Sequence, residues 1–240
     1  MKFALFGDIH ANLEALETVL EDAEKQGCTH YACIGDVVGY GANPKECLAI
    51  VKEMDCPVVK GNHDEEAWQD SPLEGLNPLA KAALEWTRNT LDEGEKEWLK
   101  DLRLLRQVQN FTVVHATLDS PGGWHYVTNK FDAMASFSYQ FTSLCFYGHT
   151  HTPRVFVKAS SVHEEPADRV RIHAGNKYFI NIGSVGQPRD GDWRASYATY
   201  DVEDERVSIR RLEYDLATAQ KKIVDAGLPE MLATRLALGK

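Results

Sequence analysis

The chain opens on a short apolar run, Phe3-Ala4-Leu5-Phe6, of the length of a buried parallel strand. Gly7 ends the run, and Asp8 and His10 follow one residue apart. Asn12 suits the N-cap of a helix whose Leu13, Leu16, Leu20 and Ala23 fall on one face. The same sequence of apolar run, glycine and polar group then repeats. Residues 29–34 predict a second strand ending in Gly35-Asp36, and a loop through Gly39, Tyr40 and Gly41 leads to a helix from about Pro44. Residues 56–60 predict a third strand that runs into Gly61-Asn62-His63-Asp64. Right-handed crossovers would bring these strand ends to one edge of a sheet, where open α/β sheets place their ligands.

Residues 65–110 carry a mostly helical pattern, with Leu79, Ala82, Ala83 and Trp86 on one face and Leu91, Trp98, Leu99 and Leu102 marking a second segment. A helical insertion that packs as a layer is the expectation there. Phe111 to Val114 predicts a strand ending in His115, and 144–147 another ending in Gly148-His149-Thr150-His151. Between them lie a loop over 117–129, containing Trp124 and Tyr126, and a helix near 131–139. Strands are expected near 154–158, 170–174, 178–182, 196–202 and 206–212, and two C-terminal helices within about 215–238. With no repeat, low-complexity segment or linker, the pattern implies one domain over residues 1–240.

Apolar residues make up 43% of the 240, enough for a substantial core, and the formal net charge is −10. That charge, with no long Lys/Arg stripe, argues against anionic membranes and polymeric nucleic acid as partners. The five cysteines are odd in number and form no Cys-x-x-Cys pair, which suggests a reducing compartment. No signal peptide precedes the first strand and no apolar run reaches membrane-spanning length, so the expected location is cytoplasmic.

These bounds direct attention to the strand ends. Asp8, His10, Asp36, Asn62, His115, His149 and His151 each lie just past an apolar run. Singly, each has a bland explanation as a turn cap, a satisfied histidine or a loop residue. Together they form an oxygen and imidazole set that suits Mn, Fe, Zn or Ni, and in number they suit two divalent ions sharing one carboxylate. No cysteine belongs to the set, which argues against a structural thiolate zinc site.

In order along the chain, Asp8-x-His10, Gly35-Asp36, Gly61-Asn62-His63-Asp64, His115 and Gly148-His149-x-His151 resemble the five signature blocks of the calcineurin-like metallophosphoesterases. The segments Gly35 to Gly41 and Gly183 to Arg189 resemble the bacterial phosphodiesterase or diadenosine-tetraphosphatase-like subgroup. Two departures stand out: Ala116 where many members have Gly, and Ile182 where many have Pro. The resemblance implies a mixed α/β fold, a four-layer αββα sandwich of two mixed β-sheets flanked by helices. It implies that Asp8, His10 and His151 hold one ion, that Asn62, His115 and His149 hold the other, and that Asp36 bridges.

Such a pair of ions suits attack on a phosphate ester by a bridging hydroxide. His63 is then the candidate general acid, because imidazole titrates in the useful range, with Asp64 to orient it or favour its protonated form. Asn62, His63, Tyr40 and Arg189 are candidate substrate contacts, with Arg154 a further phosphate ligand and Trp124 and Tyr126 possible stacking partners for a base. The expected substrate is a small phosphate ester, most simply a nucleotide-type phosphodiester. A phosphomonoesterase, including a serine/threonine protein phosphatase, is the alternative, and a non-catalytic scaffold is a third reading. The sequence leaves the substrate, the native metals and the oligomeric state open.

Overall fold

The computed structural model describes residues 1–240, and its layers follow from the period-two alternation of strands buried on both faces. In β1 (Lys2–Phe6), Phe3 and Leu5 point to one side while Ala4 and Phe6 point to the other. β1 pairs in parallel with β2 (His30–Cys33) and antiparallel with β10 (Ala195–Asp201). Beyond β10 come β11 (Arg206–Leu212) and the short β8 (Arg169–Arg171), giving the order β2-β1-β10-β11-β8.

The second sheet is built from β3 (Leu105–Val108), β4 (Phe111–Val114), β5 (Leu144–Tyr147), β6 (Arg154–Lys158), β7 (Val162–Glu165) and β9 (Lys177–Asn181). Its order is β3-β4-β5-β9-β6-β7, with β4, β5 and β9 parallel and the outer strands antiparallel. Phe111, Val113, Leu144, Phe146 and Ile180 meet Phe3 and Leu5 in the apolar layer between the sheets. Outside the second sheet, Cys145, Tyr147 and Phe179 pack against Phe137 of α6 (Lys130–Tyr139).

Outside the first sheet, Ala4, Phe6 and Tyr197 are covered by the remaining helices. These are α1 (Leu13–Lys25), α2 (Pro44–Glu53), α3 (Asn62–Trp68), α4 (Pro78–Thr90), α5 (Glu93–Asp101), α7 (Leu216–Asp225) and α8 (Glu230–Leu236). The αββα sandwich is thus present: helices, mixed sheet, mixed sheet, helix. Asn12 caps α1 through its Oδ1, which accepts from the Ala15 N–H at 3.2 Å. None of the helices is long and apolar enough to cross a membrane.

Two local expectations need correction. Residues 56–60 form no full strand; only Val58 and Val59 make isolated bridges, to Cys33 and Arg103. Pro57 offers no N–H to a ladder there. The 65–110 stretch is helical only to Asp101, after which Leu105–Val108 crosses back as β3. Residues 162–165, to which the sequence pattern assigns no element, pair with β6 as the edge strand β7.

Candidate metal centre

The parallel strands of both sheets end on the same side of the molecule, and the polar residues that follow them converge there. Asp8 and His10 follow β1, Asp36 follows β2, His115 follows β4, and His149 and His151 follow β5. All six side chains are buried. Five of these residues adopt left-handed backbone: Asp8 (φ 47°), His10 (49°), Asp36 (51°), His149 (65°) and His151 (57°). Each such non-glycine residue costs on the order of 1–3 kcal/mol and persists only where its surroundings enforce it. The enforcement is a lattice of main-chain bonds between the loops: Asp8 N–H to Gly35 O at 2.9 Å, His10 N–H to Asp36 O at 3.0 Å, and Gly148 N–H to His115 O at 2.9 Å.

Two glycines permit the convergence. A Cβ on Gly61 would lie 2.1 Å from the Asp36 Oδ1, and one on Gly148 would lie 2.3 Å from the Asp8 Oδ2. Backbone therefore passes directly against both carboxylates.

The ligand atoms form two overlapping groups. Asp8, His10, Asp36 and His151 bring donor atoms within 4.8 Å of one another, as do Asp36, His115 and His149. Asp36 belongs to both, with its Oδ2 3.6 Å from His10 Nε2 and 3.3 Å from His115 Nε2. Asn62 adds its Oδ1 at 3.3 Å from His115 Nε2.

The outer ring nitrogens fix the tautomers. A carbonyl oxygen only accepts, so the nitrogen bonded to it carries the proton. His10 Nδ1 bonds Val38 O at 3.1 Å, His115 Nδ1 bonds Ile34 O at 2.8 Å, and His151 Nδ1 bonds Gln187 O at 2.6 Å. His149 is turned the other way, with Nε2 on Trp124 O at 2.9 Å. In each ring the opposite nitrogen is left to face the cluster, the arrangement that orients metal-bound histidines. His10 Nε2 and His151 Nε2 then stand 3.1 Å apart with their lone pairs toward each other and two carboxylates alongside. Such a donor set fits a divalent cation, which would replace mutual repulsion by coordination.

Burial pulls His10 well below the ordinary imidazole range and lowers His151, where Arg189 adds to the effect. Burial and the charge of His115 take His149 down to about 3. His115 is the exception: burial works against its charge, yet the Asp36 and Asp8 carboxylates lift it to about 10. Those two carboxylates resist the upward push of burial, Asp8 mainly through His151 and Asp36 through His115. Without metal, His115 therefore carries a proton that a cation must displace. Apparent metal affinity should rise about tenfold per pH unit across the neutral range, with release of about one proton. Calorimetric titration with Mn²⁺ in two buffers of different ionisation enthalpy measures that proton, and a pH-independent affinity would contradict it.

Around this cluster, the remaining expected residues divide. His63, at the second position of α3, packs its buried ring against His10 at 4.9 Å and Tyr40 at 4.5 Å, and its Nδ1 has no hydrogen-bond partner. Burial takes it down to about 4, with Asp36 pulling the other way. Asp64 does not reach the His63 ring, contrary to the expectation that it orients it. Its oxygens accept instead from the N–H groups of Asp36 (2.7 Å), Val37 (2.8 Å) and Gly61 (3.0 Å), because Asp64 is the third residue of α3 and folds back over the helix start. Burial and Asp36 push this carboxyl up to about 7.

Tyr40 lies beside His10 and His63, and the Arg189 guanidinium sits 5.7 Å from the Tyr40 ring centre. Arg154 is drawn away on β6, where Nη1 pairs with Glu164 of the adjacent strand at 2.8 Å. Tyr126 stacks on His149 at 4.3 Å, and Trp124 contributes its carbonyl to the same histidine. Arg235 of α8 is not among the expected site residues, yet its guanidinium also lies 5.7 Å from the Tyr40 ring centre. No motif surrounds it, and only the return of the C-terminal helices brings it to this edge.

A model of the calcineurin-like phosphoesterase superfamily domain matches residues 1–205. The chain belongs to that superfamily. It is 37% identical to an uncharacterized protein of Methanocaldococcus jannaschii, over 99% of this chain and 98% of the relative. Among solved structures it is similar to a metallophosphoesterase from Sphaerobacter thermophilus, with 38% identity, a TM-score of 0.88, and coverage of 100% of this chain and 99% of the other. A hypothetical protein from Pyrococcus horikoshii OT3 shares the fold at 19% identity, with a TM-score of 0.78 and coverage of 100% and 98%.

Proposed function

We propose that this protein is a hydrolase of small phosphodiesters of the nucleotide type, working with two divalent cations. The observation that carries the reading is Asp36, whose buried carboxylate is common to both groups of ligand atoms. Asp8, His10 and His151 would hold one cation with it, and Asn62, His115 and His149 the other. When bound, the pair supplies Lewis-acid neutralisation of the phosphate and activation of a water for in-line attack. Manganese is the first metal to try, since the donor set also suits iron, zinc and nickel.

The chain's own residues would do the rest. Asn62 contributes a neutral carbonyl oxygen, which leaves no further negative charge facing the anionic substrate. His63 is the proposed proton donor to the leaving oxygen. Its ring is neutral in the free protein, and an anionic phosphoryl group against it favours the imidazolium. Asp64 is a positioning residue, because its bonds fasten the start of α3 to the loop that follows Asp36.

Hydrolysis of bis-p-nitrophenyl phosphate and p-nitrophenyl phosphate, measured side by side with Mn²⁺ and after metal removal, tests the proposal. Metal-dependent turnover that favours the diester is the expected outcome. Preference for the monoester would replace it with the phosphomonoesterase reading, and turnover that survives chelation would remove the metal mechanism.

A further inference from the structure

Two arginines approach one aromatic ring beside the ligand cluster, and neither is paired with a carboxylate side chain. The Arg189 and Arg235 guanidiniums each lie 5.7 Å from the Tyr40 ring centre. In a chain with 36 acidic residues, no carboxylate side chain pairs with either. Arg189 bonds only the neutral Gln187 Oε1, at 2.8 and 3.3 Å, and Arg235 bonds an oxygen of Lys240, the last residue of the chain, at 2.6 Å. Among the other arginines, Arg88, Arg154, Arg194, Arg210 and Arg211 pair with carboxylates, while Arg103, Arg106, Arg169, Arg171 and Arg206 do not, so what distinguishes Arg189 and Arg235 is their shared position beside the ligand cluster. Both guanidiniums are partly buried, and burial together with the Arg189 charge works against the charge of Arg235. Bringing two like charges together at partial burial is unfavourable unless an anion joins them.

The position of the pair says which anion. Tyr40 touches both the arginines and the ligand cluster, since its ring also packs on His10 and His63. The main-chain N–H of Arg189 is bonded to the carbonyl of His151 at 3.2 Å, which holds that arginine to a ligand loop. An anion here would be part of the molecule whose ester lies at the metals. Guanidinium forks match phosphate oxygens in geometry and charge.

We propose that Arg189 and Arg235 form a subsite for a second phosphoryl group of the substrate. The preferred substrates are then esters that carry a further phosphate or a polyphosphate chain beyond the scissile bond. The inference rests on the phosphoesterase reading and selects among its substrates. It also gives the C-terminal helices a role: α8 delivers Arg235, from a part of the chain beyond the matched superfamily domain.

The test uses two chromogenic esters with the same nucleoside and leaving group, p-nitrophenyl thymidine 5′-monophosphate and the γ-p-nitrophenyl ester of thymidine 5′-triphosphate, on the Mn²⁺-loaded chain. Arg235→Met keeps the packing stem without the charge, and Arg235→Lys keeps the charge. Arg235→Met should lower kcat/KM for the triphosphate ester about tenfold more than for the monophosphate ester, mainly through KM. Arg235→Lys should recover part of the difference. ADP binding, followed by calorimetry with unchanged thermal unfolding as the folding control, should weaken in the same order. Equal losses on both esters with unaltered ADP affinity would overturn the subsite. Arg235-dependent ADP binding without turnover of either ester would instead reject the hydrolase reading and leave the subsite standing.

Discussion

Asp36→Asn is expected to reduce bound metal from two ions per chain to one or fewer and to lower kcat/KM by about 10³-fold or more. The substitution is nearly isosteric, so the expected loss comes from charge and donor chemistry and not from a cavity. Asp36 Oδ1 accepts the His63 N–H at 2.8 Å. An asparagine that keeps this bond with its carbonyl must turn its NH₂ toward His10 Nε2 and His115 Nε2, now 3.6 and 3.3 Å from Oδ2. Two N–H donors would then occupy the side from which both cations are to be held. Losing the charge that two ions share removes several kcal/mol of electrostatic stabilisation, and each 1.36 kcal/mol is a factor of ten in rate. Metal analysis of the purified variant, with kinetics at saturating Mn²⁺, reads both effects. Two ions retained with activity within tenfold of the parent would remove Asp36 as the bridge.

Most metal-site candidates were legible because a strand announces them: an apolar run, a stop, then a donor; Asn62 alone follows only the isolated bridges of Val58 and Val59. Phe3 to Phe6 before Asp8, and Leu144 to Tyr147 before His149, are strands buried on both faces and therefore continuous in their apolar character. The edge strands carried no such signal. In β3 only Val108 is buried, and β7 has no buried residue, so neither alternates strongly enough to be distinguished from helix or loop. Such strands exist because a neighbour offers hydrogen bonds, which is a property of the sheet and not of the segment. Side-chain partners at a distance were illegible for the same reason. Asp64 reads as a neighbour of His63 in sequence, but the turn of α3 points it at the main chain of residues 36–38. Arg154 reads as a free cation until β7 places Glu164 beside it. Arg235 is a plain helical arginine until α8 folds back toward Tyr40.

His63→Ala should separate proton donation from metal binding, and the leaving group decides how large the effect is. The His63 ring supplies none of the donor atoms grouped around Asp36, so metal content should stay at the parent value. An alkoxide, as released from a natural nucleotide diester, departs poorly without a proton, and loss of the donor should cost about 10²–10⁴-fold in kcat. A p-nitrophenolate leaves readily as the anion, and the same variant should lose much less on bis-p-nitrophenyl phosphate. The contrast matters because His63 packs on His10 and Tyr40, so that deleting the ring could also loosen the site. Loosening would lower turnover of both substrates alike, whereas loss of a proton donor falls chiefly on the poor leaving group. His63→Gln, which fills much of the same space without supplying an acid, should repeat the pattern. Equal losses on the two substrates, or metal lost from both variants, would assign His63 to the architecture of the site and leave the proton to be delivered by another group.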